Sequence, residues 1–202
     1  MVRWPLDVAR VAWLKLTREP IHLHLAEILF VLAAVRRKRR CKLLVFGAGN
    51  DSGMWQRLNR GGRTAFLEDD STWQRRVLAR EPSLEVHAVR YATRASEWRE
   101  ALEAPERLRL DLPAAVRDVH WDVILVDGPR GFRGAPDDDP RGRASSIFMA
   151  HQLIAPRGDV FVHDCERALE AECCERFLGR ESLRGEVTGR ALLRHYRFDS
   201  RA

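Results

Sequence analysis

Two stretches of the chain place glycine and carboxylate where they could hold a nucleoside. Gly47, Gly49, Asp51, Ser52 and Gly53 fall in the run VFGAGNDSG, and Glu68 follows about 20 residues after the first glycine, the distance at which a carboxylate closing the next strand reaches ribose hydroxyls. Glycines at a strand-to-helix turn let the backbone bend tightly and let a ligand approach without a Cβ in the way. The spacing Gly47-x-Gly49-x-x-x-Gly53 is one residue longer than the dinucleotide form. It favours S-adenosylmethionine, which has no pyrophosphate to seat on a helix N-terminus, over NAD. An ordinary tight turn with a surface glutamate is the alternative.

A second set could act at a reacting centre. Asp127 ends the apolar run WDVILV (Trp121–Val126), and His163-Asp164 ends a later one, Asp159–His163. Ligands of open α/β sheets bind outside the carboxyl ends of strands, where such residues stand. Methyl transfer is an in-line displacement that depends on positioning, and a hydroxyl acceptor must also lose a proton. Three readings fit. Asp127, His163 and Asp164 hold a divalent cation such as magnesium, manganese or cobalt; or His163 or Asp127 is the base, with arginines holding an anionic acceptor; or Asp164 caps the following helix. The loop Gly128–Gly142 carries Arg130, Arg133 and Arg141 beside Asp137-Asp138-Asp139. It reads as an acceptor lid recognising an anion such as a uronic acid, or as a solvated loop. Tyr91 and Thr93 lie where an adenine pocket would be lined. Trp55 and Trp73 read as core rather than cofactor stacking.

The elements that must position these residues alternate. Residues 5–37 predict two helices separated around Glu19-Pro20, the second with Ile21, Leu25, Ile28, Leu29, Leu32 and Val35 at helical spacing, packing on the flank or over the cleft. Strands are predicted at 42–47, 64–68, 84–89, 121–126 and 159–163, then two short ones near 185–188 and 192–198. Helices are predicted at 50–58, 71–80, 94–106, 143–154 and 167–178. This is an α/β pattern: a mostly parallel, doubly wound sheet of about seven strands. Residues 1–40 form a helical extension and residues 41–202 the nucleoside-binding domain.

Composition narrows the classes further. Of 202 residues 32% are charged and the formal charge is +6, with Lys15, Lys38 and Lys42 the only lysines. The one basic run, Arg36–Arg40, reads as the solvated end of a helix; no aromatic platform accompanies it, which argues against a nucleic-acid partner. Cys41, Cys165, Cys173 and Cys174 form no CxxC pair, so neither zinc nor a disulfide framework is expected. The stretch Ile21–Val35 is interrupted by His22, His24 and Glu27 and is shorter than the roughly 20 residues of a membrane span. With no secretory apolar region at the start, a cytoplasmic protein without a membrane partner is expected. Homo-oligomerisation stays open.

These residues carry a family resemblance. LLVFGAGNDSGMWQRLNRGGRTAFLEDDSTWQ, then EVHAVRYAT, then Asp127-Gly128-Pro129-Arg130-Gly131, Gly142-Arg143, and His163-Asp164 with Arg167 resemble the glucuronoxylan 4-O-methyltransferase family of xylan modification. That family's pattern runs VFG-x-G-x-DS-x-MW, LN-x-GG, FLEE, W, V-x-Y-x-T, D-x-PRG, P-x-R and HD-x-x-R. The resemblance covers about residues 41–198. It departs at Gly128 for alanine, Phe132 for tyrosine and Asp69 for the second glutamate. It implies a Rossmann-like class I methyltransferase fold using S-adenosylmethionine. Gly47, Gly49, Asp51 and Ser52 would line the cofactor, Glu68 would hold its ribose, Asp127 would face the transferring methyl, and Arg130 and Arg143 would face the acceptor. The expected activity is O-methylation of a soluble small-molecule or sugar-like hydroxyl compound. N-methylation or other sulfonium chemistry is the alternative, and a non-catalytic polyanion-binding protein is the alternative of another class.

Overall fold

The computed structural model describes residues 4–16, 21–130 and 140–199. Two helices come first, α1 (Trp4–Leu16) and α2 (Leu25–Arg37); strand–helix alternation follows. It runs β1 (Lys42–Phe46), α3 (Ser52–Leu58), β2 (Arg63–Glu68), α4 (Ser71–Arg80), β3 (Glu85–Ala88), α5 (Trp98–Glu103), α6 (Ala114–Arg117), β4 (Trp121–Val126), α7 (Ala144–Leu153), β5 (Ile154–Val162) and α8 (Ala168–Phe177), closed by the hairpin β6 (Leu183–Thr188) and β7 (Leu192–Arg197). Among the described residues no helix is long and apolar enough to cross a membrane.

The seven strands are ordered β3-β2-β1-β4-β5-β7-β6. All neighbouring pairs are parallel except those of β7, which runs against both β5 and β6. This is the Rossmann-like class I methyltransferase arrangement, with the order reversing between β1 and β4. Central strands of such a sheet are covered on both faces, so they read as unbroken apolar runs. In β4, Trp121 and Val123 to Val126 are all fully buried.

Two apolar layers flank the sheet. One gathers α7, α8 and the segment from Val89 to Val116 around Leu44, Phe46, Ile124 and Val126. The other packs Ile28, Val31, Leu32 and Val35 of α2, with Val11 and Leu14 of α1, against Leu43, Val45, Val123, Phe161 and Leu193. Each such side chain contributes about 1.5–3 kcal/mol on burial, so α2 is part of the core. Its start is fixed by a capping box, with Glu27 accepting from the His24 N–H.

Two local predictions fail. Residues 94–106 form no single helix: 3-10 turns at Ala95–Glu97 and Pro105–Leu108 bracket the short α5, because Pro105 lacks the N–H that would continue it. β5 begins at Ile154 rather than Asp159, its register on β4 shifting between Trp121 and Val123. Arg157 takes φ 60 there, which absorbs the irregularity of Pro156-Arg157-Gly158.

Candidate active site

The ladder bonds of the central strands run on into the site. Gly47 donates to the Leu67 carbonyl (2.8 Å), Asp127 to that of Phe46 (3.0 Å) and His163 to that of Val126 (3.0 Å). The residues just beyond β1, β4 and β5 are thereby set side by side at strand spacing. Above them lies a cleft of about 1000 Å³.

On the β1–β2 side, Gly47 has φ +101, and a Cβ there would come within 3.1 Å of Gly128. A side chain would therefore be strained by its backbone and crowded by the neighbouring turn. Glu68 lines the cleft and accepts from the N–H groups of Ala48 (2.8 Å) and Asp70 (2.9 Å). Burial raises its pKa against those two hydrogen bonds. Asp51 stands at the head of α3 and accepts from the Trp55 indole (2.7 Å). Burial, and then the Asp127 charge, push its carboxyl up to about 6. Gly49, Asp69 and Asp70 complete this acidic flank. Trp55 is wholly buried, whereas Trp73 both packs on the core and lines the cleft, its indole donating to the Ala48 carbonyl (2.5 Å).

On the β4–β5 side a dense ionic cluster forms. Arg143, only 5% exposed, donates to the carbonyls of His163 (2.8 Å), Asp127 (2.9 Å) and Pro129 (3.4 Å). The same guanidinium reaches Asp127 Oδ1 (3.2 Å) and Asp164 Oδ2 (2.7 Å), and Arg167 reaches Asp164 Oδ2 (3.1 Å). His163 Nδ1 lies 3.3 Å from both Asp127 Oδ1 and Asp164 Oδ1, while its Nε2 meets Glu27 Oε1 at 3.2 Å. Burial opposes a charge on His163, but the carboxylates of Asp127, Asp164 and Glu27 set against it outweigh that and raise the ring to about 11. Asp164 loses solvation too, yet the adjacent His163 ring and the Arg143 guanidinium bring it to about 2. Asp164 holds φ 64, a left-handed conformation that aspartate tolerates better than most residues. Asp127, Asp164 and Glu27 thus face His163, Arg143 and Arg167, with Glu170 buried 3.9 Å beyond Arg167, and such pairing offsets the loss of solvation.

Asp127, His163 and Asp164 each offer one ligand atom within 4.8 Å of the others. His163 Nδ1, though close to two carboxylates, meets the hydrogen-bond geometry of neither. One nitrogen and two carboxylate oxygens are donors a hard divalent cation accepts, so the set fits one in place of a proton on Nδ1.

Several sequence expectations need correction. Tyr91 does not line the cleft; its hydroxyl is buried against Ser146 (2.9 Å), and Thr93 pairs with Ser145 (3.2 Å). Ser52 is buried and accepts from the Gly49 N–H (2.8 Å), shaping the turn rather than facing a ligand. Arg143 borders the cleft, but its guanidinium is taken up by Asp127, Asp164 and three carbonyls and is not presented to an acceptor. Arg130 is exposed and lines the cleft; Arg133 and most of the expected lid lie outside the described residues. Sequence reasoning missed Glu27, His22 and Arg190. The last two line the cleft from the α1–α2 connection and the β6–β7 turn. The only signal for Glu27 was its place in an apolar helix with a capping-box spacing.

The sequence profile of the family described as IRX15/IRX15L/GXM matches residues 26–109 and 105–196. Protein IRX15-LIKE of Arabidopsis thaliana is 37% identical over 89% of this chain and 63% of its own length. Glucuronoxylan 4-O-methyltransferase 2 of the same plant is 37% identical over 81% of this chain and 61% of its own. The chain therefore spans about three-fifths of these curated relatives. A TehB-like SAM-dependent methyltransferase from Corynebacterium glutamicum superposes with a TM-score of 0.54 over 96% of this chain and 98% of its own at 13% identity, a likeness of fold. One relative's name states an activity and the other's does not, so membership leaves the activity to the site.

Proposed function

The chain belongs to the IRX15/IRX15L/GXM family, and from that premise we propose that it is an S-adenosylmethionine-dependent O-methyltransferase acting on a hydroxyl of an anionic, uronate-bearing saccharide. The observation that carries this is the polarity of the cleft described above. Carboxylates Asp51, Glu68 and Asp69 come from the β1–β2 side, and guanidiniums Arg130, Arg167 and Arg190 from the β4, β5 and β6–β7 side, where Asp127, Asp164 and Glu166 lie among them. A cationic sulfonium suits the first flank and an anionic acceptor the second. The glucuronoxylan methyltransferase named above supports the same acceptor class.

Bound at the Gly47–Gly49 turn, S-adenosylmethionine would supply an electrophilic methyl group, the sulfur–methyl bond breaking as the methyl moves to oxygen and S-adenosylhomocysteine being left. Gly47 and Gly49 give it bare backbone, and Glu68 is placed for its ribose hydroxyls. Asp127, which lines the cleft between the two flanks, accepts the proton released by the hydroxyl as the oxygen–carbon bond forms. His163 is held as imidazolium by its carboxylates and serves as charge balance instead of base. Arg167 and Arg190 orient the acceptor anion so that its hydroxyl points at the methyl, and positioning of this kind supplies much of the rate.

A second reading is favoured by the unsatisfied His163 Nδ1 between two carboxylates. Magnesium, manganese or cobalt held there would lower the pKa of the acceptor hydroxyl. Turnover is measured with S-adenosylmethionine against aldobiouronic and neutral xylo-oligosaccharides and a simple catechol, with and without EDTA. Methyl ether on the uronate substrate alone is expected, and methylation of the catechol with none on the saccharides overturns the acceptor assignment. Loss in EDTA with rescue by one cation selects the metal reading, whereas full activity in chelator rejects it.

A further inference from the structure

Glu27 is the one buried carboxylate of the site that comes from outside the strand–helix repeat, and its side chain is completely shielded from solvent. Three donors converge on it. Oε2 accepts from the His24 N–H (2.5 Å); Oε1 accepts from the Ala191 N–H (3.2 Å) and meets His163 Nε2 at 3.2 Å. An ionised carboxylate only accepts hydrogen bonds, so this contact requires the proton on Nε2. Once Nε2 is tied to Glu27, the ring can turn only its Nδ1 edge toward Asp127 and Asp164, each 3.3 Å away. The Ala191 bond fixes the β6–β7 turn, and Arg190 next to it lines the cleft.

A cap alone would explain the His24 contact. It does not explain a carboxylate that also spans 136 residues of sequence to the ring beside Asp127. Burying such a charge is costly unless each oxygen is satisfied, and here the satisfying groups belong to the catalytic end of β5 and to the acceptor side of the cleft. We propose that Glu27 is a positioning residue for methyl transfer: it holds His163 by Nε2 so that Nδ1 stays on Asp127 and Asp164, and it anchors the turn that carries Arg190. This rests on the methyltransferase reading above. α2 is then part of the active site as well as of the core.

The test compares Glu27→Gln with His24→Ala, which loosens the same helix start by removing a 3.4 Å side-chain contact to the Ala26 N–H and leaves the carboxylate alone. The readouts are kcat, KM for each substrate, Tm, and the imidazole 15N resonances of His163. Glu27→Gln is expected to lower kcat about 10- to 100-fold, the range that follows removal of the partner orienting a metal-bound histidine. Cofactor KM stays near the wild-type value, and the His163 resonances shift. His24→Ala keeps the wild-type kcat and resonances. Unchanged kcat and resonances in Glu27→Gln overturn the proposal, and so does an equal fall of kcat and Tm in both variants. Should the wild-type protein methylate nothing, the functional reading fails by itself, and the resonances alone decide whether Glu27 sets the ring.

Discussion

Replacing Arg143 by methionine separates two roles for this guanidinium. Sequence reasoning aimed it at the acceptor; the structure gives it two carboxylates and three main-chain carbonyls and leaves the residue itself only 5% exposed. Methionine keeps the aliphatic stem but leaves Asp127 and Asp164 short of one cation and strands the carbonyls of Asp127, Pro129 and His163. Removing one partner of a buried pair costs about 3–5 kcal/mol. For a domain of this size each kcal/mol moves Tm by about 2–4 °C, so Tm falls by roughly 6–20 °C. Urea denaturation and calorimetry read the stability, and initial rates read the acceptor KM. Arg143→Lys falls between, because one ammonium cannot span five acceptors. A methionine variant that melts with the wild type while its acceptor KM rises tenfold or more would refute the structural role and return Arg143 to substrate recognition.

Other outcomes follow from the same geometry. Glu68→Gln turns an amide toward a backbone N–H now paired with carboxylate, and titration calorimetry should show S-adenosylmethionine binding weakened about 10- to 100-fold, from the roughly 1.5–3 kcal/mol of a charged hydrogen bond. Gly62→Ala would place a Cβ 2.2 Å from the Cys41 carbonyl; backbone must move, and a loss of about 1–3 kcal/mol in urea denaturation is expected. Asp51 keeps its proton up to about pH 6, so cofactor affinity should rise from pH 5 to 7, less so for S-adenosylhomocysteine, which lacks the sulfonium charge; Asp51→Asn should flatten the curve. The stability sign is opposite. A carboxyl raised above its unfolded value binds its proton more tightly when folded, so its contribution is full below about pH 4 and is lost as pH climbs through about 6.

Positions along the chain were more legible than directions of side chains. Asp127 and Glu68 could be placed because an apolar run that stops at a carboxylate marks a strand end, and parallel strands gather their ends. Tyr91 and Ser52 sit at comparable places, but their hydroxyls found Ser146 and the Gly49 N–H, partners that spacing cannot reveal. Arg143 misled because a guanidinium serves an incoming anion and a resident carboxylate equally well. Glu27 was least legible, since its meaning lies in contacts to His163 and Ala191 made only after the sheet assembles.

The sheet's two borders have a consequence of their own. β6 turns Arg184 and Glu186 outward in alternation, with Arg184 paired to Asp199 and Glu186 to Arg194. β3 carries Glu85, gripped by Arg63 and His87. An unpaired strand edge is a template on which other chains can stack, and charges along it must be stripped of water by each added strand. Borders of this kind disfavour edge-to-edge pairing between copies of the chain.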